Sequence, residues 1–394
     1  RQMCIRDRAY GAQCLTYHRV TKIENEDGQV SQVVCTDEKT GEEVRINCRA
    51  AINCGGPWAG QIAKMAGCHG VDVVPGRGIM IAMNHRLVNH VVNRCIHPAD
   101  GDIIVPAHTV SIIGTTDQKE DDPDFLVIRN SEVQQMLDSG EDLVPGFRKA
   151  RAVHAWAGAR PLVKDSRVDA SDTRHMSRGM SIIDHSTRDG VKGFFTIAGG
   201  KLTTYRLMAK NIVDALLEQM DEFVECTTET EAVPSNATRT HRVTDRLEEA
   251  EADRFEDPII CECELLPRST IEKELAKQPE ANLDDIRRRT RLGMGPCQGT
   301  FCGMRAAGIM HEALAGRLER EENADRTSSM LRLFVKNRYS GLESLMYGEQ
   351  LREATLNKWI LAGNLDIDHL PAPTEKAVRA TGDLELIHGR PSVA

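Results

Sequence analysis

Four cysteines sit at two short spacings, Cys261-Glu262-Cys263 and Cys297-Gln298-Gly299-Thr300-Phe301-Cys302. Four thiolates in two close pairs make a Cys4 metal site. Structural zinc usually takes cysteines two to four residues apart. A C-x-C pair is short for that. A C-x4-C pair occurs in plant-type [2Fe–2S] ligation. Gly293, Gly295 and Gly299 let backbone amides turn toward inorganic sulfide. Both pairs precede expected helix starts, near Ser269 and Gly303, whose amides favour anions. Arg287, Arg288, Arg289 and Arg291 stand just upstream. They either offset the charge of about −2 on an oxidised [2Fe–2S](Cys)4 unit or form a solvated helix face. Spacing alone leaves iron–sulfur, zinc and unbound structural cysteines open. Cys4, Cys14, Cys35, Cys48, Cys54, Cys68, Cys95 and Cys226 stand singly and are read as small apolar core residues.

A second group is Ile197-Ala198-Gly199-Gly200-Lys201-Leu202-Thr203-Thr204-Tyr205-Arg206. A buried strand meets two glycines and a helix begins. The glycines let a planar or anionic ligand reach the backbone, and the helix start faces it with positive charge. By spacing this is an anion site or a tight strand-to-helix turn. Ala50 to Cys54, ending in Gly55-Gly56-Pro57, repeats the pattern of a buried strand before a helix, here over 57–66.

The elements that must position these groups read as mixed α/β over residues 9–220. Val30, Val33 and Cys35, then Val44, Ile46 and Cys48, alternate as two strands, with Lys39-Thr40-Gly41 as the turn. Ile103 to Pro106 and Val110 to Gly114 are further strands. Ser131 with Gln134 is a capping pair for a helix near 131–139. Residues 221–257 are strongly acidic and poor in apolar groups, which reads as a linker or solvated helix. Residues 258–315 form a small helical unit, with Ser269–Glu272 and Asn282 as caps. Residues 316–394 form a helical extension whose last stretch is polar and frayed. The chain of 394 residues carries 40% apolar and 28% charged residues. That excludes a disordered chain, a collagen and a membrane bundle. A net charge of −9 disfavours nonspecific nucleic-acid binding. Twelve cysteines without a secretory signal imply a reducing compartment.

The run from Arg287 through Leu292-Gly293-Met294-Gly295-Pro296 to Cys302, taken with Cys261 and Cys263, resembles the bacterioferritin-associated-ferredoxin-like (BFD-like) [2Fe–2S] domain. Ile52-Asn53-Cys54-Gly55-Gly56-Pro57-Trp58-Ala59, Ile112-Ile113-Gly114-Thr115-Thr116-Asp117, Gly158-Ala159-Arg160-Pro161-Leu162 and the Gly199-Gly200 turn resemble the FAD-dependent glycerol-3-phosphate dehydrogenases. These belong to the D-amino-acid-oxidase-like flavoproteins. Tyr347-Gly348-Glu349-Gln350-Leu351-Arg352-Glu353-Ala354 is similar to the A-subunits of the anaerobic branch. The resemblance implies an α/β (α+β) flavoprotein fold followed by a small all-helical [2Fe–2S] domain and a helical tail. It implies FAD held by Gly55, Gly56, Trp58, Gly199, Gly200, Lys201, Leu202, Thr203 and Thr204, and a cluster held by Cys261, Cys263, Cys297 and Cys302. It implies oxidation of sn-glycerol 3-phosphate to dihydroxyacetone phosphate. Lys201 would face the negative charge of reduced flavin, and Arg160 and Arg178 would clamp the substrate phosphate. The general base stays open among His18, His85, His108, His154 and His185. Electrons would leave through partner subunits, one an iron–sulfur membrane anchor, toward membrane quinone. The chain itself would have no membrane span and would sit peripherally on the cytoplasmic face.

The sequence departs from the family where its first strand and G-x-G-x-x-G turn should stand; Gly76-Arg77-Gly78 is only a fragment of that pattern. The expectation is therefore an N-terminally truncated chain holding the substrate side of the flavin site. Two alternatives stay open: an iron–sulfur electron-transfer and docking module without catalysis of its own, or the same architecture acting on an amine or another hydroxy acid.

Overall fold

The structure, a computed structural model, describes residues 2–95, 100–163, 179–232 and 242–388. A short helix, α1 (Gln2–Ala9), precedes an antiparallel sheet of β1 (His18–Glu26), β2 (Gln29–Asp37) and β3 (Glu43–Asn47). Val33 lies opposite Ile23 and Ile46, as the alternation of apolar residues requires. The hairpin turn falls at Lys39-Thr40-Gly41, and Gly41 takes the positive φ of +80° that suits glycine.

Next come β4 (Ala51–Asn53), α2 (Ala59–Met65), β5 (Val73–Met83), β6 (Val92–Asn93), β7 (Ile103–Ala107), β8 (Val110–Gly114), β9 (Gln118–Lys119), α3 (Asn130–Leu143) and β10 (Ala152–Val163). Among the described residues the large sheet runs β10-β5-β8-β7-β6, with β9 pairing β5. Ile79, Ile81, Met83, Ile104 and Ile113 bury one face of it against Val133, Met136 and Leu137 of α3 and against Phe147. Each such side chain contributes about 1.5–3 kcal/mol by leaving water. The cap of α3 is not the expected Ser131–Gln134 pair. The Arg129 amide donates to Glu132 at 3.2 Å. Glu132 is also claimed by the wholly buried Arg77, at 2.9 Å and 3.0 Å, so the cap and the core ion pair share one carboxylate.

The third sheet joins β11 (Met180–Asp184) and β12 (Phe194–Gly199) to β4, with α4 (His185–Asp189) between the first two strands. α5 (Tyr205–Gln219) follows β12 and packs Ile212 on Phe195 and Ile197. Within the acidic segment the structure forms a helix, α6 (Val243–Ala252), and buries one of its basic residues, Arg246.

The remainder is α7 (Arg268–Lys277) behind the ribbon β13 (Ile259–Cys261) and β14 (Leu266–Pro267), then α8 (Leu283–Thr290), α9 (Cys302–Leu314), α10 (Arg320–Ser340), α11 (Gly348–Leu365), α12 (Glu375–Thr381) and α13 (Leu384–Ile387). Ile271, Ile286, Leu292, Ala306, Met330 and Phe334 form its core. Asn282 caps α8 as expected, accepting from the Asp285 amide at 2.8 Å. The Ser269–Glu272 cap does not form: Pro267 is the N-cap, and Glu272 instead pairs with Arg268 at 2.7 Å. The tail is not frayed through residue 388. Ala377 and Thr381 of α12 are buried, and Lys336 of α10 pairs with Asp383 at 3.0 Å.

The single cysteines divide. Cys35 and Cys68 are buried core residues, whereas Cys54 and Cys95 are exposed, because each lies in the loop just past its strand.

Candidate functional site

Two glycine turns meet because β4 and β12 are parallel neighbours, with Thr196 opposite Asn53. Both strands therefore end at the same edge of the sheet, where open α/β sheets bind ligands. One ends in Gly55-Gly56 and the short helical turn Gly56–Trp58. The other ends in Gly199-Gly200 and the turn Leu202–Thr204. Gly199 and Gly200 take φ of +76° and +75°. A side chain at Gly199 would meet the Gly179 carbonyl at 2.3 Å, and one at Gly200 the Met208 sulfur at 2.2 Å. Gly56 also has positive φ, but nothing lies within 4 Å of where its Cβ would stand. Trp58 and Leu202 are 36% and 77% exposed beside these turns. The result is an open ledge of backbone amides and apolar side chains, suited to a flat ring with a polar edge. Lys201 is exposed at its rim, and its amide donates to Thr204 Oγ1 at 3.1 Å.

A buried hydrogen-bond chain holds the first turn. Asp189 Oδ2 lies 2.5 Å from His185 Nδ1, and His185 Nε2 lies 2.8 Å from Thr196 Oγ1. With the proton on Nδ1 facing the carboxylate, Nε2 accepts from the Thr196 hydroxyl. Thr196 Oγ1 accepts in turn from Asn53 Nδ2 at 3.1 Å, and Asn53 Oδ1 accepts from the Gly55 amide at 3.0 Å. Burial pushes the Asp189 carboxyl up, but the His185 hydrogen bond, the His69 amide and nearby charges hold it below its ordinary value. Cys68 adjoins the chain, its thiol pushed up to about 11 by burial and by Asp189. Cys68, His185 and Asp189 donor atoms lie within 4.8 Å of one another. Both His185 nitrogens are engaged, so the group acts as a hydrogen-bonded brace. The sequence signal for it is a lone threonine inside the apolar strand Phe194–Gly199, a signal too slight to single out by pattern.

Arg160 stands on β10, which packs against both glycine turns. It pairs with Asp117 at 3.1 Å and donates to the carbonyls of Gly76 and Thr116 and to the Thr115 hydroxyl. Its guanidinium thus binds together the Gly114–Asp117 segment and β5. Arg178 lies outside the described residues. Of the five histidines, His185 is in the brace and His108 pairs with Glu264 at 3.1 Å. His154 is half-buried and held down at about 4 by desolvation and then by Arg287 and Arg338. His18 is half-buried, with Nδ1 on the Thr16 carbonyl at 2.9 Å, and His85 is exposed.

The four cysteines gather in two pairs. Cys263 and Cys297 sulfurs are 3.5 Å apart, and Cys261 and Cys302 hydrogen-bond to each other. Each pair takes one member from each sequence segment. Tetrahedral ligands on a metal–sulfur bond of about 2.3 Å lie about 3.8 Å apart, so the Cys263–Cys297 pair at 3.5 Å fits the two thiolates of one metal. A single zinc would need all four sulfurs at that spacing. Among the described residues no three of them lie mutually within 4.8 Å. Two sulfur pairs suit the two metals of a [2Fe–2S] unit.

The loop chemistry favours anionic sulfur. Cys297 is held down at about 6 by the Cys263 hydrogen bond and, against burial, by the amides of Gly299, Phe301 and Thr300. Cys261 is also lowered, by Cys302 and by the Gly293 and Glu264 amides. The partner thiols Cys263 and Cys302 are pushed up by donating to those sulfurs and by burial. Gly295 must be glycine, since a Cβ there would lie 2.3 Å from Cys263 Cβ. The four upstream arginines do not reach the sulfurs as an unpaired group. Arg288 pairs with Asp285, Arg289 with Glu274 and Arg291 with Glu264. Glu264 is wholly buried and is also met by Arg246 of α6, which donates to the Glu264 and Thr290 carbonyls at 2.6 Å and 3.2 Å.

Residues 4–214 match the family described as FAD dependent oxidoreductase, and residues 259–312 match the BFD-like [2Fe–2S] binding domain. The chain is 32% identical to the anaerobic glycerol-3-phosphate dehydrogenase A-subunit of Haemophilus influenzae, over 95% of this chain and 69% of that one. It is 34% identical to the protein of the same name from Escherichia coli, over 90% of this chain and 68% of that one. Among solved structures, glycerol-3-phosphate dehydrogenase of Bacillus halodurans complexed with FAD has the same fold, with a TM-score of 0.50 at 22% identity, over 98% of this chain and 71% of that one.

Proposed function

The chain belongs to the anaerobic FAD-dependent glycerol-3-phosphate dehydrogenase A-subunit family, and from that premise we propose how its residues perform the reaction. The substrate is sn-glycerol 3-phosphate and the product dihydroxyacetone phosphate. FAD supplies the hydride acceptor, and a [2Fe–2S] cluster on Cys261, Cys263, Cys297 and Cys302 supplies the one-electron carrier.

The observation that carries this reading is the meeting of two glycine turns at the ends of parallel strands β4 and β12. Gly55, Gly56, Gly199 and Gly200 give backbone contact to the flat ring, and Trp58 and Leu202 cover it. Thr203 and Thr204 shape the second turn, and Thr204 closes it by hydrogen bonds with the Lys201 backbone. Lys201 offers a cation where negative charge develops. The brace from Asp189 to Asn53 keeps the Gly55 amide aimed. Arg160 is proposed to meet the substrate phosphate from β10, with Asp117 fixing its fork. Arg178 is proposed as the second phosphate ligand from its motif.

No described helix is long and apolar enough to cross a membrane. The relatives are named as subunits, which supports a multi-subunit enzyme. Electrons are proposed to leave through partner subunits, including an iron–sulfur membrane anchor, toward quinone. The protein would then sit peripherally on the cytoplasmic face of the membrane.

The test is dye reduction dependent on sn-glycerol 3-phosphate, with FAD supplied, for the parent and for Arg160→Leu. The reading predicts activity in the parent and a raised KM in the variant. Turnover of amino acids but not of the phosphate ester would contradict it. An unchanged KM in Arg160→Leu would remove the phosphate role of that residue.

A further inference from the structure

We propose that Arg338 sets the reduction potential of the [2Fe–2S] cluster, by holding a buried positive charge without a carboxylate partner against the cluster's ligand loop. The inference rests on the cluster reading above and deepens it.

Arg338 lies in the last turn of α10 and is 6% exposed. A buried cation needs a compensating group, because removing a charge from water costs several kcal/mol. Its Nη1 donates to the Cys297 carbonyl at 3.0 Å and to the Gln298 carbonyl. Among the described residues its Nε has no partner. Among the described residues no carboxylate forms an ion pair with it, unlike Arg288, Arg289 and Arg291. The carbonyls at the end of α10 offset only a fraction of a charge.

Its cationic neighbours are paired. Arg287 is half-buried and pairs with Asp284 at 3.7 Å. Arg151 is neutralised by Glu353 at 3.0 Å. His154, packed on Gly341 beside Arg338, stays neutral. Burial opposes the Arg338 charge, and the residue whose carbonyl it holds, Cys297, is a ligand in the cluster reading. The balance closes when an anionic centre occupies the cysteines. The oxidised unit carries about −2, and accepting one electron makes it more negative by one. A fixed cation therefore favours the reduced form and raises the potential. The same fork holds the Cys297 and Gln298 carbonyls while the next amides, of Gly299, Thr300 and Phe301, point at the Cys297 sulfur. That second role is structural, and the test must separate it from charge.

The experiment is a dithionite titration of the full chain with its cluster, followed by electron paramagnetic resonance, for the parent, Arg338→Gln and Arg338→Lys. Loss of charge in Arg338→Gln should lower the equilibrium constant for reduction about tenfold, a fall of about 59 mV for one electron. Arg338→Lys keeps the charge without the fork and should stay near the parent. An intact signal with unchanged potential in Arg338→Gln overturns the proposal. An equal fall in both variants also overturns it, because geometry would then be the cause. Should Arg338→Gln lose its cluster, Arg338→Met, a neutral and apolar side chain suited to the same buried space, carries the test: its potential should fall in the same direction, and no change overturns the idea. A parent protein without a [2Fe–2S] signal would overturn the cluster reading itself, a failure distinct from an unchanged potential.

Discussion

A buried polar residue holds its place only if every partner is present, and His185 is the case in point. Replacing it by Phe removes the imidazole partner of both groups, leaving Asp189 with the His69 amide and Thr196 with the Asn53 amide, at about 1–3 kcal/mol for each lost buried partner. His185→Phe should lower the denaturation midpoint and also weaken FAD binding, since Thr196, which anchors Asn53, loses its own anchor and the Gly55 amide its aim. A flavin fluorescence titration beside a urea melt would show both; weakened stability with unchanged FAD affinity would detach the brace from the flavin turn. His154 gives a pH prediction. Its folded pKa lies at about 4, below the ordinary 6.5, because burial and then Arg287 and Arg338 oppose the proton. Between those values the unfolded chain binds the proton and the folded one does not. Stability from this residue is therefore full above about pH 6.5 and falls as pH drops toward 4. His154→Phe should flatten the dependence of melting temperature on pH across that window.

At the scale of elements, the turns are the sensitive parts. Gly200→Ala would force positive φ on a side chain that also strikes Met208, and should weaken flavin binding with little effect on the cysteine region. Gly295→Ala would strike Cys263 and should do the reverse, lowering iron content while leaving flavin affinity near the parent's. Iron assay and flavin titration on both variants give four readings, and a crossed pattern would refute the separation. Much of this is legible in the sequence. The cysteine spacing, the two glycine turns and the alternating strands are local patterns, written in neighbouring residues. Three features are not local. Capping pairs read as Ser131–Gln134 and Ser269–Glu272 lose to Glu132 and Pro267: buried Arg77 fixes the Glu132 carboxylate from a distant strand, while Glu272 turns to Arg268 within its own helix. Arg246 reads as part of a solvated acidic stretch, yet its one buried guanidinium ties α6 to the cysteine loop. Arg338 lies far in sequence from Cys297, and only the packing of α10 brings them together.

Across the whole molecule, β10 joins the two halves. One end packs by the glycine turns and carries Arg160. At the other end the Ala155 amide donates to the Gly341 carbonyl at 2.7 Å, while Gln350 bonds both the amide and the carbonyl of Ala152. The helical segment thereby covers an edge strand that would otherwise be open to pairing. Glu264 makes a second tie, through His108 in the turn between β7 and β8. Glu264→Gln would leave Arg246 and Arg291 short of a buried partner, a loss of about 3–5 kcal/mol where a buried pair is broken. Calorimetry should then show the cysteine region melting earlier than the large sheet, whereas a single unshifted transition would deny the tie. The central claim is that a flavin site and a two-iron cluster are coupled in one chain. The direct test is an anaerobic visible spectrum of the protein with FAD, before and after sn-glycerol 3-phosphate. The expected result is iron–sulfur absorption together with a flavin band that bleaches on adding substrate. A protein showing iron–sulfur absorption and a flavin band indifferent to the substrate would contradict it.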